Sequence, residues 1–492
     1  MKFGFDDEDH KLQGAAMKQS LLFLFLVSIF SISCAQKQLA SYLAANPDAM
    51  RLPNTNSTSE YMSLGRFAMI QGPTSDSEAY FSSISPRYKN YTYVLVDAAG
   101  KEMARVQPYE VIEQANYTFW KIDKFHFTGL TAGQDYGLHV VEKPTDKLDQ
   151  SMDFRKFKSM DLNQTHFKFV VGSCQADDHR FSAVRKAIWN KVVQTSPDFI
   201  IMNGDVVYVD SFEFVKRETK THKTQEWEIW GRYMDSFQTL EIFRSQRLIP
   251  IVANWDDHDM GTNNSDINFS GKDHAKRVFK ALFHAPDIKG VFKQGVGGVS
   301  SAYTLFGQKF IMMDGRYFRQ PPGTQKDPNG HLGKRQHEWI ISEMNSNSLP
   351  TWLVMGDQFF QSLVEVGEGE KKKIVNETFI GDHPVQFDRF LKDVKDSKST
   401  TVFISGDVHF SEISTVDKNV LGYPTFELTA SPYHSYIFGG KNWENPRRVV
   451  ATKEHNFMLV EADTHGNGIK ANVRAIGAGT DVLFEKEIVV TK

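Results

Sequence analysis

From about Glu60 to Glu142 apolar and polar residues alternate in short runs rich in Tyr, Phe, Val and Thr, with turns such as Asp97-Ala-Ala-Gly100 between them. A period of two is the mark of strands with one buried face, so this region predicts a small antiparallel sandwich over residues 60–143. A stretch with Pro, Asp and Lys follows, read as a linker over 144–165.

The pattern then changes. Short continuous apolar runs appear: FKFVVG from Phe167, FIIMNGD from Phe199, IPIVANWDD from Ile249, FIMMDG from Phe310, WLVMGD from Trp352 and VFISGD from Val402. Runs of this length bounded by Gly and Asp suit strands buried on both faces, which predicts a layered α/β core over 166–492. Helical spacing lies between them, in Phe181, Val184, Ile188 and Val192 and again around Val278 and Leu282. The tail from Phe457 to Val490 alternates once more and is expected to complete a second sheet. The predicted fold class is therefore α/β, two packed sheets flanked by helices, preceded by the all-β domain. The segment Phe125 to Lys143, a strand, a Gly-containing turn and a second strand carrying Tyr136, resembles the late strands of a fibronectin-type domain.

Ahead of the sandwich stands an apolar run of twelve residues, Leu21 to Ile32, preceded by Lys18 and followed by small residues. It is shorter than the ~20 residues that span a bilayer, and it has the layout of a signal peptide over residues 1–34. The acidic FDDEDH before it does not suit a basic leader, and a start at Met17 gives the cleaner MKQSLLFLFL. The sequence SISC, Ser31 to Cys34, resembles a bacterial lipoprotein signal. Two readings stand: cleavage near Ala35, or lipidation and membrane attachment at Cys34. Both place the mature protein outside the cytoplasm.

With 57 Lys plus Arg against 60 Asp plus Glu, a net charge of -3 and no basic block, the chain has no nucleic-acid grip. A small-molecule partner and a monomer are expected. Cys174 is the one cysteine outside the leader, so no disulfide framework is available and its presence needs its own explanation.

Each buried run ends in a residue able to bind metal or move a proton. The series is Gly172-Ser173-Cys174, Gly204-Asp205 with Tyr208, Asn254-Trp255-Asp256-Asp257-His258-Asp259, Asp314-Gly315-Arg316, Gly356-Asp357 and Gly406-Asp407-Val408-His409. The carboxyl ends of strands in an open α/β sheet line one crevice, so these residues can converge. Singly, a Gly-Asp is usually a turn, a Cys usually a small buried hydrophobe and a His usually structural. The joint occurrence resists that reading.

The order GSC, GDxxY, WDDHD, GDQ and GDxH resembles the alkaline phosphatase D branch of the calcineurin-like metallophosphoesterases, from about residue 60 to the end. Asp259 stands where that family usually has Glu, and Asn254 where it often has Thr. The resemblance implies two metals bridged by Asp205, with Cys174, Tyr208 and His409 completing one shell and Asp257, Asp357 and Asp407 supplying the other. Thiolate, phenolate and imidazole suit a transition metal, and a phenolate, from a Tyr with ordinary pKa near ~10, favours Fe(III). The all-oxygen set favours Ca²⁺, with Mg²⁺ or Mn²⁺ as alternatives. Such a pair, ~3.5–4 Å apart, activates a hydroxide nucleophile against a phosphate ester. His258, among acids, is expected as general acid; Arg316 in DGRYFR, with Asn263 and Asn264, is expected at the substrate.

The implied function is an exported phosphomonoesterase or phosphodiesterase. The alternatives are a narrower hydrolase of nucleotides, phospholipids or teichoic-acid-like polymers, and a non-catalytic surface protein. The loops Ser211–Gln238 and Gly367–Pro384 are expected to hold the leaving group. Fractionation of cells should recover the mature protein outside the cytoplasm, with Cys34→Ser releasing it from membranes if the cysteine carries a lipid; a full-length cytoplasmic product would refute export.

Overall fold

In the strand His166–Gly172 the side chains sort by parity: Phe167, Phe169 and Val171 enter one apolar core while Val170 enters another. Phe199 and Ile201 against Ile200 and Met202 divide the same way in Phe199–Asn203, as do Val252 against Ile251 and Ala253 in Ile251–Asn254. Both faces of these strands are buried, which is why their sequences read as unbroken apolar runs. A computed structural model describes residues 63–210, 223–321, 323–361, 364–366, 373–375, 378–437, 445–479 and 482–492. The leader, Met17 and Cys34 lie outside the described residues, as do residues 211–222, 367–372 and 376–377 of the two segments expected to hold the leaving group.

These three strands are parallel neighbours, with Met202 opposite Gly172 and Asn203 opposite Asn254, so their carboxyl ends are level. The tail strands Asn456–His465, Gly468–Gly477 and Val482–Val490 extend this same sheet to six strands. They were expected in a second sheet, but the strand Asn456–His465 pairs antiparallel with His166–Gly172 itself. The second sheet has eight strands. Its centre is the parallel set Gln308–Met312, Thr351–Val354, Thr401–Ser405 and Thr425–Thr429.

The two sheets meet through aromatic rings. Phe169 packs edge-on against Phe310 and Trp352, and Phe199 edge-on against Phe310. Trp352 donates its indole N–H to Gln308 Oε1 at 2.6 Å, so the buried ring carries no orphan donor. Helices Ser182–Thr195, Glu226–Thr239 and Lys272–Phe283 cover the outer face of the first sheet, through Ile188, Tyr233, Phe279 and their neighbours. Helices Gly333–Asn345 and Pro384–Asp396 cover the second, through Ile340, Met344, Phe387 and Phe390.

The N-terminal region forms two four-stranded antiparallel sheets enclosing Phe81, Tyr93, Phe125, Leu138 and Phe157. The stretch read as a linker contains a strand, Asp153–Lys158, paired with Asp135–Val141. Its buried face is Asp153, Arg155 and Phe157, two of them charged, so no apolar alternation stands out from a Lys- and Asp-rich background. All the described residues belong to one compact unit. Arg155 fastens the sandwich to the rest: it pairs with Asp153 at 2.9 Å and donates to Ser245 O at 2.7 Å and to Phe67 O, while Asp153 accepts from the N–H groups of Arg66 and Phe67. Both side chains are buried, so removing one charge strands the other. Arg155→Met should therefore lower stability by about 3–5 kcal/mol in chemical denaturation; a loss under about 1 kcal/mol would show that the pair is dispensable.

Candidate active site

The level strand ends create a crowding problem that glycine solves. A Cβ on Gly204 would lie 2.7 Å from Asp256 Cβ, one on Gly356 2.5 Å from Asp256 Cγ, and one on Gly406 2.6 Å from Ser173 Oγ. The glycine of each Gly-Asp pair thus gives room to a side chain from a neighbouring strand end. The backbone is forced as well. Among described residues seven non-glycine positions have positive φ, and five are site residues read from the sequence: Cys174, Asp205, Asn264, Asp407 and His409. Left-handed backbone costs a non-glycine residue roughly 1–2 kcal/mol and persists only where surrounding contacts hold it.

Here those contacts are visible. Asn203 and Asn254, last residues of their strands, reach across to the second sheet, donating to Met355 O and Met313 O at 2.7 Å each. Gly406 N donates to Gly356 O at 2.7 Å, Gly204 N to Asn254 O at 3.1 Å and Gln175 N to Asp205 O at 3.0 Å. Asp259 accepts from Val207 N at 2.8 Å and Asp256 N at 2.9 Å, so it staples two loops together and faces away from chemistry. A shorter acid than the usual Glu suffices there. Asp314 likewise accepts the N–H groups of Val299, Arg316 and Tyr317 and is a structural acid.

Three groups of donor atoms result, each within 4.8 Å of one another: Cys174, Asp205 and His409; Asp205, Asp257 and His258; Asp256, Asp357 and Asp407. Tyr208 joins the first group, its hydroxyl 3.3 Å from His409 Nε2 and accepting from Ser435 Oγ at 3.0 Å. The partition differs from the expected one. Asp257 opens the short helix Asp257–Met260 and Asp256 caps it, so adjacent side chains diverge: Asp257 goes with Asp205, and Asp256, read only as a neighbouring acid, goes with Asp357 and Asp407.

Arg316 is 1% exposed, its guanidinium against Asp256 and 2.6 Å from Asp357. Its fork is occupied by carboxylates, not turned toward solvent where a phosphate would enter. Asn263 and Asn264 use their backbone here, donating to Asp210 Oδ2 at 3.0 Å and Asp257 Oδ2 at 2.5 Å, with exposed side chains. Three further residues escaped the sequence reading. Arg319 lies 2.8 Å from Asp357 and bonds Asp382, His331 Nε2 lies 2.9 Å from Asp357, and Asp210 Oδ1 lies 2.7 Å from His258 Nδ1. Asp210 stands only two residues beyond Tyr208, and Arg319 closes the DGRYFR block in which only Arg316 was singled out; His331 follows no strand end and carries no spacing signal.

Electrostatics separates the groups. Burial raises Asp205 to about 6 against the pull of His258. Burial also pushes the Cys174 thiol and the Tyr208 phenol well up, with Asp205 adding to both, and lowers His409 to about 4. Burial opposes charge on His258 too, but Asp257, Asp205 and Asp210 outweigh it and hold the ring's pKa well above the ordinary value. For Asp357 burial is outweighed by Arg316 and Arg319, which hold its carboxyl far below the usual range.

Whether these residues fit metal ions is decided by Asp205. It is 1% exposed, and neither carboxylate oxygen meets a donor in hydrogen-bonding geometry among the described residues, the Tyr208 hydroxyl being the side-chain donor that favours its charged form. Asp256 Oδ2 is equally bare, and Asp257 Oδ1 has only Arg316 Nη2 at 3.7 Å. Buried oxygens without donors are costly unless a cation completes them. A carboxylate bare on both oxygens and shared by two donor groups, one with Cys174 and His409 and one with Asp257 and His258, fits a bridge between two ions.

The profile of the PhoD-like phosphatases matches residues 169–475. The chain belongs to this family. It is thus a hydrolase of phosphoric esters that depends on metal ions and acts on a small phosphate-ester substrate. A solved structure of PhoD superposes with a TM-score of 0.59 at 16% identity, covering 88% of this chain and 90% of that one. The purple acid phosphatase PPD1 from yellow lupin (Lupinus luteus) seeds superposes at 0.58 with 11% identity, covering 86% and 73%. At these identities the two structures speak for the fold alone. No curated protein matches the chain by sequence.

Proposed function

We propose that the protein hydrolyses phosphomonoesters, phosphodiesters or both, with Fe(III) among Cys174, Asp205, Tyr208 and His409, and Ca²⁺ among the surrounding carboxylates. The observation that carries this reading is Asp205, buried and bare on both oxygens, shared by the group of Cys174 and His409 and the group of Asp257 and His258. A thiol and a phenol whose protons are held by burial become ligands only beside a strongly polarising cation, which favours Fe(III) over a divalent ion. The oxygen-only donors favour a hard ion. Ions bound there screen the phosphate charge and bring the pKa of water toward neutrality.

The chain's own part in the reaction centres on His258. Its ring packs on that of Tyr208 at 4.5 Å between centroids, and Nδ1–H donates to Asp210 Oδ1 at 2.7 Å, which turns Nε2–H toward the ester. The surrounding carboxylates keep the ring protonated, so Nε2 can give its proton to the leaving oxygen and return neutral.

Elemental analysis should find iron with a ligand-to-metal charge-transfer colour, which Tyr208→Phe or Cys174→Ser bleaches. A calcium chelator should abolish turnover and leave the colour. A colourless, fully active protein holding only zinc would overturn both metal assignments. His258→Ala should keep both metals and lose ~10²–10⁴-fold in kcat on alkyl phosphates but far less on p-nitrophenyl phosphate, whose leaving group needs no proton. Equal losses on the two would make the histidine structural.

A further inference from the structure

We propose that Glu427 is a positioning residue for the oxygen-rich cation site. It lies in Thr425–Thr429, 2% exposed, and touches none of the site's acids. Its Oε1 accepts from Phe359 N at 2.7 Å and from Ser405 Oγ at 2.9 Å, and its Oε2 from Phe360 N at 3.3 Å. Phe359 stands two residues after Asp357, and Ser405 two before Asp407. One carboxylate therefore ties together the two turns that present those acids.

The reach is set by sheet order. Thr425–Thr429 neighbours Thr401–Ser405, with Glu427 opposite Phe403, whereas Thr351–Val354 lies one strand further. Glu427 spans the intervening strand to grip the turn beyond it. Its neighbours repeat the pattern: Gln358 Nε2 donates to Glu412 Oε1 at 3.2 Å and Thr429 Oγ1 at 3.1 Å, Asn445 and Arg448 hold Glu412, and Arg447 donates to Phe360 O. Gln in its place would turn an N–H₂ toward Phe360 N–H and leave that turn with an unmatched donor. Groups behind a ligand that fix its orientation typically hold ~10–100-fold in metal affinity.

This inference rests on the reading of Asp357 and Asp407 as cation ligands. Equilibrium dialysis of the full-length holoenzyme with Ca²⁺, and with Mn²⁺ in parallel, compares wild type, Glu427→Gln and Asp407→Asn, and the metal content at Cys174 is followed by elemental analysis and absorbance. Glu427→Gln should weaken cation binding ~10–100-fold while the metal and colour at Cys174 stay unchanged. Binding within twofold of wild type in Glu427→Gln, where Asp407→Asn has lost it, overturns the positioning role alone. Unaltered binding in Asp407→Asn overturns the ligand reading and the inference with it. Equal loss at both metal sites makes Glu427 a general structural residue, which also overturns it. If Glu427→Gln does not fold, Ser405→Ala removes one of the three donors; it should weaken cation binding several-fold, and wild-type affinity would refute the proposal.

Discussion

The constraint on which this structure depends is mutual repulsion among carboxylates gathered at the ends of two sheets. Asp205, Asp256, Asp257 and Asp357 are buried and Asp407 is half-buried. Two like charges about 4 Å apart cost roughly 4 kcal/mol even at an effective dielectric of 20. The chain supplies a partial answer, with Arg316 and Arg319 on Asp357, Arg316 on Asp256, and protonated His258 beside Asp205 and Asp257. Asp205 meets no donor in hydrogen-bonding geometry, so the balance is left for ions. The acids cannot relax by moving apart, because the strands that carry them are locked in register.

That lock is apolar below and polar above. The rings of Phe169, Phe199, Phe310 and Trp352 fill the space between sheets, where shape allows little sliding. Directly over them Asn203 and Asn254 bond across to the opposite sheet. Above this floor the backbone enters left-handed conformations at four of the seven described non-glycine positions that have them, Cys174, Asp205, Asp407 and His409. Strain concentrated there is sustained by a core that would lose packing if any strand end withdrew.

Much of this was legible in the sequence. Buried parallel strands announce themselves as apolar runs, and glycines before acids mark the crowded ends, so the layered core and most donor groups follow from the pattern. What was lost was lost for physical reasons. The strand Asp153–Lys158 is short and buries two charged residues beside Phe157, which made it look like a linker. The tail pairs with the first catalytic strand through contacts some 290 residues apart in sequence, as in Met458 with Val171, and alternation carries no information about partner strands. Asp256 and Asp257 were indistinguishable until the helix beginning at Asp257 turned them apart. Arg316 has the chemistry of a phosphate clamp, but burial beside three acids makes it their counter-ion.

The same accounting separates acids that build the site from acids that work in it. Asp259 accepts two backbone N–H groups, Asp314 three and Asp153 those of Arg66 and Phe67, and each spends its lone pairs on holding chain segments. Glu427 is of this kind, with two backbone donors and a hydroxyl. Asp205 meets none in hydrogen-bonding geometry on its carboxylate, although its own backbone oxygen is bonded to Gln175 N. A buried acid satisfied by amides has no capacity left for a cation, and one left bare is tolerable only with it. Burial alone does not separate the two sets, since Asp259, Asp314 and Glu427 are as buried as Asp205 and Asp357. What distinguishes them is the kind of donor aimed at each carboxylate, backbone N–H groups on the builders, guanidinium and imidazole groups on Asp357 and no donor of good geometry on Asp205, and that is decided by loop geometry that no single residue identity encodes.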